Sequence, residues 1–105
     1  DWKGARKIRN NYNKNDFIDF FILPPSKAEL KKRLIKRGRD NYKEINLRLS
    51  YAMKEMKHYN EYKYVLINEN IHKTVDDIKK IIIYKSLISK NELLLKSRLK
   101  KIINI

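Results

Sequence analysis

The chain has 105 residues, no cysteine and a formal net charge of +14. A chain of this length forms at most one small domain with a thin core, and the absence of cysteine excludes disulfides and thiolate metal sites. No run approaches the roughly 18 uninterrupted apolar residues of a membrane helix. We therefore expect a cytoplasmic protein with no membrane partner. The basic excess favours polyanionic partners such as nucleotides, although a compositional bias towards Lys, Asn and Ile accounts for part of it.

The first two predicted elements are a polar helix and an apolar strand. Residues 2–14 have helical spacing, and a run rich in asparagine ends the pattern. Residues 17–23 are apolar except for Asp19, which is typical of a strand covered on both faces in a parallel sheet. Pro24 and Pro25 end this strand because proline cannot continue a ladder of hydrogen bonds.

A pair of helices is predicted next. Ser26 and Glu29 have the spacing of a capping box, which predicts a helix over residues 27–37. Gly38 follows at the position where a left-handed residue commonly closes a helix. The second helix, expected to end near His58, has apolar residues at spacings of three and four: Ile45, Leu49, Ala52, Met53 and Met56.

From residue 64 onwards, the sequence predicts one strand and a long helical region. Residues 64–67 form a short apolar run, most simply a second strand. A helix is then expected after Thr74, whose hydroxyl is a plausible N-cap with Asp76 and Asp77 in the first turn. Residues 85–105 keep helical spacing and form a strongly basic tail.

The order of elements predicts the second half of an open α/β fold, with two parallel strands, flanking helices and a helical lid. Two parallel strands cannot form a stable sheet unaided, and an apolar strand with an open edge promotes aggregation. The first residue is Asp1 rather than methionine. We therefore expect the chain to be a piece of a longer protein, and its missing N-terminal half to be a partner.

Three arginines are the strongest local signal for chemistry. Arg33 and Arg37 are four residues apart and share one helix face, while Arg48 lies on the following helix. If the two helices fold back on each other, the three guanidinium forks can close over one polyphosphate. The alternative interpretation is a solvated basic helix face.

Six stretches have motifs that together indicate a known family. They read D-W-K-G-A with I-R at residues 1–9, I-L-P-P-S at 22–26, L-x-x-R-L-x-x-R-G at 30–38, R-L at 48–49, E-M-x-H-Y-x-E-Y-x-Y at 55–64 and V-L-I-N at 65–68. In this order and spacing, nearly the first 80 residues resemble the guanylate kinases. Lys3, Lys63 and Glu69 depart from the family's usual Gln, Asp and Asp.

The resemblance implies a fold, an activity and a set of site residues. The fold would be that of P-loop nucleoside monophosphate kinases, with residues 1–105 as a partial core domain, a lid at about 33–50 and the basic tail at about 85–105. The activity would convert ATP and GMP to ADP and GDP, with Mg²⁺ accompanying ATP. The lid arginines, Arg33, Arg37 and Arg48, would be catalytic. Asn68 would border the adenine ring, and Asp1 would lie near the Mg²⁺ and GMP region.

The departures leave other functions open. No G-x-x-x-x-G-K-S/T loop occurs, the chain has only two glycines, and the family's GMP-binding insert is absent. The chain by itself should therefore be inactive. One alternative is a basic helical module for nucleic acid or acidic surfaces, and another is a kinase-like interaction domain without catalysis. Three phosphate-facing arginines argue against the latter, and no nucleic-acid partner is expected for the kinase.

Overall fold

The computed structural model describes residues 1–38 and 41–103. Within this part, the elements follow the order α1 (Trp2–Asn11), β1 (Phe20–Leu23), α2 (Lys27–Lys36), α3 (Tyr42–Met56), β2 (Tyr64–Ile67) and α4 (Ile71–Ile103), with a short 3₁₀ turn at Tyr59–Glu61. The chain divides into two compact units, residues 1–71 and 72–105. The order agrees with a partial α/β fold.

The two strands of the first unit pair in parallel. Phe20 lies opposite Tyr64, and the register continues to Leu23 opposite Ile67. The parallel pairing confirms the sequence prediction, and the bounds of β2 match it. Strand side chains remain accessible, however, since Ile22 is 46% exposed and Ile67 is 60% exposed.

Strand β1 is shorter than the apolar run from which it was predicted. Residues 17–19 lie outside the strand. The next backbone pair of the ladder would join Asp19 to Lys63, but the N–H of Lys63 donates to the Oδ1 atom of the Asp19 side chain instead, at 3.2 Å. Lys63 immediately precedes β2, so a side chain occupies the donor that a longer ladder would have used. The single acid in the apolar run therefore marks the beginning of the strand.

Helices α2 and α3 begin and end largely where the sequence predicts. The Ser26 Oγ accepts the N–H of Glu29 at 3.0 Å, and the Asn41 Oδ1 accepts the N–H of Glu44 at 2.9 Å. Gly38 has a φ of +65°, the left-handed conformation expected after α2. The two helices contact each other. Of the linking residues, Arg39 and Asp40 lie outside the described part of the chain.

The core of the described residues is thin, as the chain length predicts. Ile45 and Leu49, both on α3, are its buried apolar side chains at 5% and 8% exposure. Ala52, Met53 and Met56, predicted for the same face, are half-buried. Burial thus follows the spacing of three and four along α3 and decreases towards its C-terminal end.

The last helix, α4, begins earlier than the sequence predicts. It begins at Ile71, so Thr74 is a buried residue inside the helix and not its N-cap. Asn70 immediately precedes the helix, and asparagine is favoured at that position. Asp76 and Asp77 consequently lie beyond the first residues of the helix and pair with Lys80 at 2.9 Å and Lys73 at 2.8 Å.

The second unit contains the rest of α4. This helix has 33 residues, a length of about 50 Å at 1.5 Å per residue, and includes the predicted basic tail up to Ile103. Over residues 1–38 and 41–103, no helix combines the length and apolar character needed to cross a membrane.

Candidate functional site

The carboxyl ends of the two parallel strands form the edge at which the candidate site lies. The N–H of Asn68, just after β2, donates to the carbonyl of Leu23 at the end of β1 at 2.8 Å. Ser26 then caps α2 three residues after β1 ends. Ligands of open α/β sheets bind at the carboxyl ends of the strands, so this edge is where a nucleotide would be expected.

Arg33 extends from α2 to this edge. Its Nη2 donates to the backbone carbonyl of Asn68 at 3.3 Å, and its Nε lies 3.5 Å from the Glu29 carboxylate. The Arg33 side chain is 42% exposed. The structure therefore brings together two residues that the sequence predicted for one site, although they are 35 positions apart.

The other two predicted arginines lie on the surface of the contacting helices. Arg37 is the C-cap of α2, one turn after Arg33, and its N–H donates to the Arg33 carbonyl at 3.2 Å. Arg48 lies in the middle of α3, and both side chains are exposed. The arrangement offers guanidinium groups to an anionic ligand, for which planar five-donor forks are well suited.

Asp1, the remaining predicted site residue, lies at the start of α1 and not on the arginine-bearing helices. It is the N-cap of α1, and its Oδ1 accepts the N–H of Gly4 at 2.6 Å. A shallow groove of about 520 Å³ adjoins it and is lined by residues of α1, by the C-terminal half of α3, including Tyr51, and by His58, which follows α3. The capping bond uses one carboxylate oxygen of Asp1 and fixes its orientation at the start of α1.

A charged network, which sequence reasoning missed, ties α1 to the segments before each strand. Arg9 pairs with Asp19 at 2.7 Å and lies 3.5 Å from Glu61. Arg6 pairs with Glu61 at 2.8 Å, and His58 Nδ1 lies 2.6 Å from the other oxygen of Glu61. The lone Asp19 in an apolar run was the available signal, because an acid there needs a cationic partner.

Aromatic contacts reinforce this network. The ring of Trp2 stacks on His58 with centroids 3.9 Å apart, and the Arg9 guanidinium lies 4.8 Å from the centre of the Tyr62 ring. Burial raises the pKa of the Tyr62 hydroxyl. These contacts give His58 a packing and hydrogen-bonding role just after the end of α3.

Glu61 gives this network a pH dependence. The hydrogen bond from Arg6, followed by that from His58, lowers the pKa of Glu61 below its ordinary range. A lowered pKa stabilises the fold above the pKa of the unfolded chain, and that contribution disappears as the pH falls through the folded value. Arg9 also faces this carboxylate, so protonation would leave two arginines near an uncharged partner.

We expect Glu61→Gln to reduce the acid sensitivity of the whole protein that contains this chain. Its unfolding midpoint in urea should be lower than that of the wild type at about pH 7, and the difference should shrink at acidic pH, as the pH falls through the lowered pKa of Glu61 and the wild type also loses the charge. Glu69→Gln, at an exposed position, is the matched control. Equal midpoints for Glu61→Gln and wild type at both pH values would contradict the assigned role.

The described residues contain no group of three or more His, Asp or Glu side chains that could hold a metal ion. Among these residues, no three such side chains are therefore placed to bind Mg²⁺ together. A magnesium ion that accompanies a nucleotide would take its ligands elsewhere, first from phosphate oxygens.

Two parallel strands flanked in sequence by helices, with Arg33 contacting Asn68 at their carboxyl edge, define a partial α/β fold. The family model of guanylate kinase matches residues 1–85. The chain therefore belongs to the guanylate kinase family, whose members share the P-loop kinase fold.

Individual relatives agree with the family match. The guanylate kinase of Buchnera aphidicola subsp. Baizongia pistaciae is 46% identical over 104 residues, covering 94% of this chain and 49% of the relative. That of Xylella fastidiosa strain Temecula1 is 47% identical over 81 residues, or 77% of this chain and 39% of the relative. That of Buchnera aphidicola subsp. Schizaphis graminum is 45% identical over 87 residues, or 83% and 41%. The chain thus spans half or less of the length of these curated relatives.

Proposed function

We propose that this chain is the C-terminal half of a guanylate kinase, which transfers a phosphoryl group from ATP to GMP and forms ADP and GDP. The observation that carries the proposal is the contact of Arg33 with Asn68 at the carboxyl edge of the parallel strands, in a chain that belongs to the guanylate kinase family. Family membership supplies the expected reaction, and the contact supports the use of this edge as a nucleotide site.

In this proposal, Arg33, Arg37 and Arg48 neutralise phosphate oxygens during transfer. The transition state of phosphoryl transfer spreads negative charge over oxygens that must be held in line, so positioned cations supply much of the barrier lowering. Exposed guanidinium groups on contacting helices can approach the phosphates when the lid, residues 33–50, closes. The three arginines would then replace the water that surrounds the phosphates in solution.

Asn68 and Asp1 have binding roles in the proposal. Asn68 directly follows β2, and its amide can both donate to and accept from an adenine ring. Its main chain is held by the bond to Leu23 and by Arg33, which would keep the amide at the strand end. Asp1 would lie near the GMP and Mg²⁺ region, at the end of the helix that it caps.

The chain needs further components in order to act. Mg²⁺ would enter with ATP and neutralise phosphate charge. The N-terminal half of the same protein would supply the loop of backbone N–H groups that binds ATP phosphates. A cytoplasmic location remains a prediction of this proposal.

The acceptor preference of the whole protein tests the proposal. With ATP and Mg²⁺, we expect rapid ADP formation with GMP and, under the same conditions, at least about 10²-fold slower formation with AMP, because a site that hydrogen-bonds one base leaves polar groups unpaired with another. A coupled assay for ADP measures both rates. Equal rates with GMP and AMP, or ADP formation that needs no acceptor, would contradict the proposed substrate.

A further inference from the structure

Gly4 lies in the first turn of α1, directly against the side chain that caps this helix. The Asp1 Oδ1 accepts the N–H of Gly4 at 2.6 Å. A Cβ atom placed on Gly4 would come within 3.1 Å of the same oxygen, whereas ordinary van der Waals contacts of a Cβ are 3.4–4 Å. The absence of a side chain at this position therefore lets the Asp1 carboxylate lie closer to the backbone than any other residue would allow.

The backbone conformation of α1 does not itself require a glycine at this position. Among residues 1–38 and 41–103, the glycine with a positive φ is Gly38, whereas Gly4 lies inside a regular helix. Alanine is the better helix former of the two residues. Beyond the neighbouring backbone, the atom of the described residues that a Cβ on Gly4 would meet within 4 Å is the Asp1 Oδ1. The glycine therefore matters for the position of this carboxylate and not for the helix.

Contacts on both sides of this glycine oppose a shift of α1. The ring of Trp2 stacks on His58 with centroids 3.9 Å apart, and Arg6 pairs with Glu61 at 2.8 Å. A helix held in this way moves less easily than a single side chain rotates. A Cβ atom in the first turn would consequently displace the capping carboxylate and leave the helix in place.

We propose that Gly4 is a positioning residue for GMP binding, because it holds the Asp1 carboxylate where the nucleotide needs it. The inference rests on the proposed function, in which Asp1 lies near the GMP and Mg²⁺ region. The capping bond fixes the carboxylate through Oδ1 and leaves Oδ2 to accept a further hydrogen bond. GMP offers N–H and O–H donors on its guanine ring and its ribose.

A contact with the N-terminal half of the protein is the competing explanation for an effect at Gly4, which is exposed in residues 1–105. A Cβ would then clash with a neighbour other than Asp1, and the loss would persist after the Asp1 carboxylate had been removed. A double-mutant cycle separates the two explanations, since residues that act through each other are not additive.

The test compares Gly4→Ala, Asp1→Ala and the double variant in the whole protein, with GMP binding measured by calorimetry in the absence of ATP and Mg²⁺. We expect Gly4→Ala to weaken GMP binding by about tenfold, as for a lost hydrogen bond to a charged group. Its affinity for ATP should be that of the wild type. Its unfolding midpoint in urea should also stay close to wild type, because the helix preference of alanine offsets a strained capping bond.

Asp1→Ala should weaken GMP binding at least as much as Gly4→Ala does. Adding Gly4→Ala to it should then change the Kd by less than about twofold, because the oxygen that the Cβ would meet is gone. Should Asp1→Ala fail to fold, Asp1→Ser, which keeps a capping oxygen, takes its place. Lys7→Ala, at an exposed position of the same helix, is the control and should bind GMP like the wild type.

Two outcomes would overturn the role of Gly4 alone. One is wild-type affinity for GMP in Gly4→Ala, and the other is a full further loss when Gly4→Ala is added to Asp1→Ala, which would assign Gly4 to a contact with the N-terminal half. Wild-type affinity in Asp1→Ala would overturn the inference together with the role of Asp1. Failure of the wild type itself to bind GMP would refute the proposed function as well.

Discussion

Replacing Arg37 or Arg48 by alanine in the whole protein is expected to lower kcat for GMP phosphorylation by about 10²-fold or more. Both side chains are exposed on helices, and circular dichroism of the variants checks that the fold is intact. The KM for GMP should change far less, because the lid cations act mainly on the phosphoryl group in transit. Steady-state kinetics with GMP varied at saturating ATP separates the two effects.

Matched lysines on the same helices provide the controls. Lys32 and Lys43 each lie five residues before the arginine in question, about 140° around the helix, and both are exposed. Lys32→Ala and Lys43→Ala remove a positive charge from α2 and α3 without removing a proposed phosphate contact, and they should stay close to wild type. A wild-type kcat in Arg37→Ala or Arg48→Ala, or equal losses in the controls, would refute the lid assignment.

Arg33 requires a separate interpretation. Its side chain contacts the Asn68 carbonyl and Glu29, so an alanine there would alter the nucleotide edge as well as remove a cation. We therefore base the test of lid chemistry on Arg37 and Arg48.

The second large effect that we expect is the complete absence of kinase activity when residues 1–105 are tested without the rest of the protein. Phosphoryl transfer needs a loop of backbone N–H groups around the ATP phosphates, and the sequence contains no G-x-x-x-x-G-K-S/T motif. Neither of its two glycines lies in a loop of this kind. Gly4 lies in α1, and Gly38 follows α2. Arginine side chains cannot substitute for such a loop, because they contact phosphates without enclosing them.

Elements with local signals could be predicted from the sequence. Pro24 and Pro25 marked the end of β1, Ser26 marked the start of α2, and Gly38 marked its end, since each acts through its own backbone or its near neighbours. The bounds of β2 followed from its short apolar run. The wrong prediction of Thr74 as the N-cap also arose from a local signal. Asn70 and Thr74 are both possible caps, four residues apart, and it is Asn70 that immediately precedes the helix.

Features that depend on distant pairs could not be predicted in this way. The start of β1 coincides with a hydrogen bond that the backbone N–H of Lys63 donates to the Asp19 carboxylate, and Glu61 pairs with Arg6 across 55 positions. No periodic pattern in the sequence indicates that residues so far apart will pair. The contact of Arg33 with Asn68 could be anticipated only because the family resemblance placed both residues at the nucleotide site. Their roles there remain predictions.

The most direct test of the account is to measure GDP formation side by side for residues 1–105 and for the whole protein, with ATP, GMP and Mg²⁺. For the whole protein, we expect turnover in the usual range for kinases, about 1–100 per second. For residues 1–105, we expect no GDP above a buffer blank. GDP formation by the 105-residue chain, or its absence from the folded whole protein, would contradict the claim that this chain is the arginine-bearing half of a guanylate kinase.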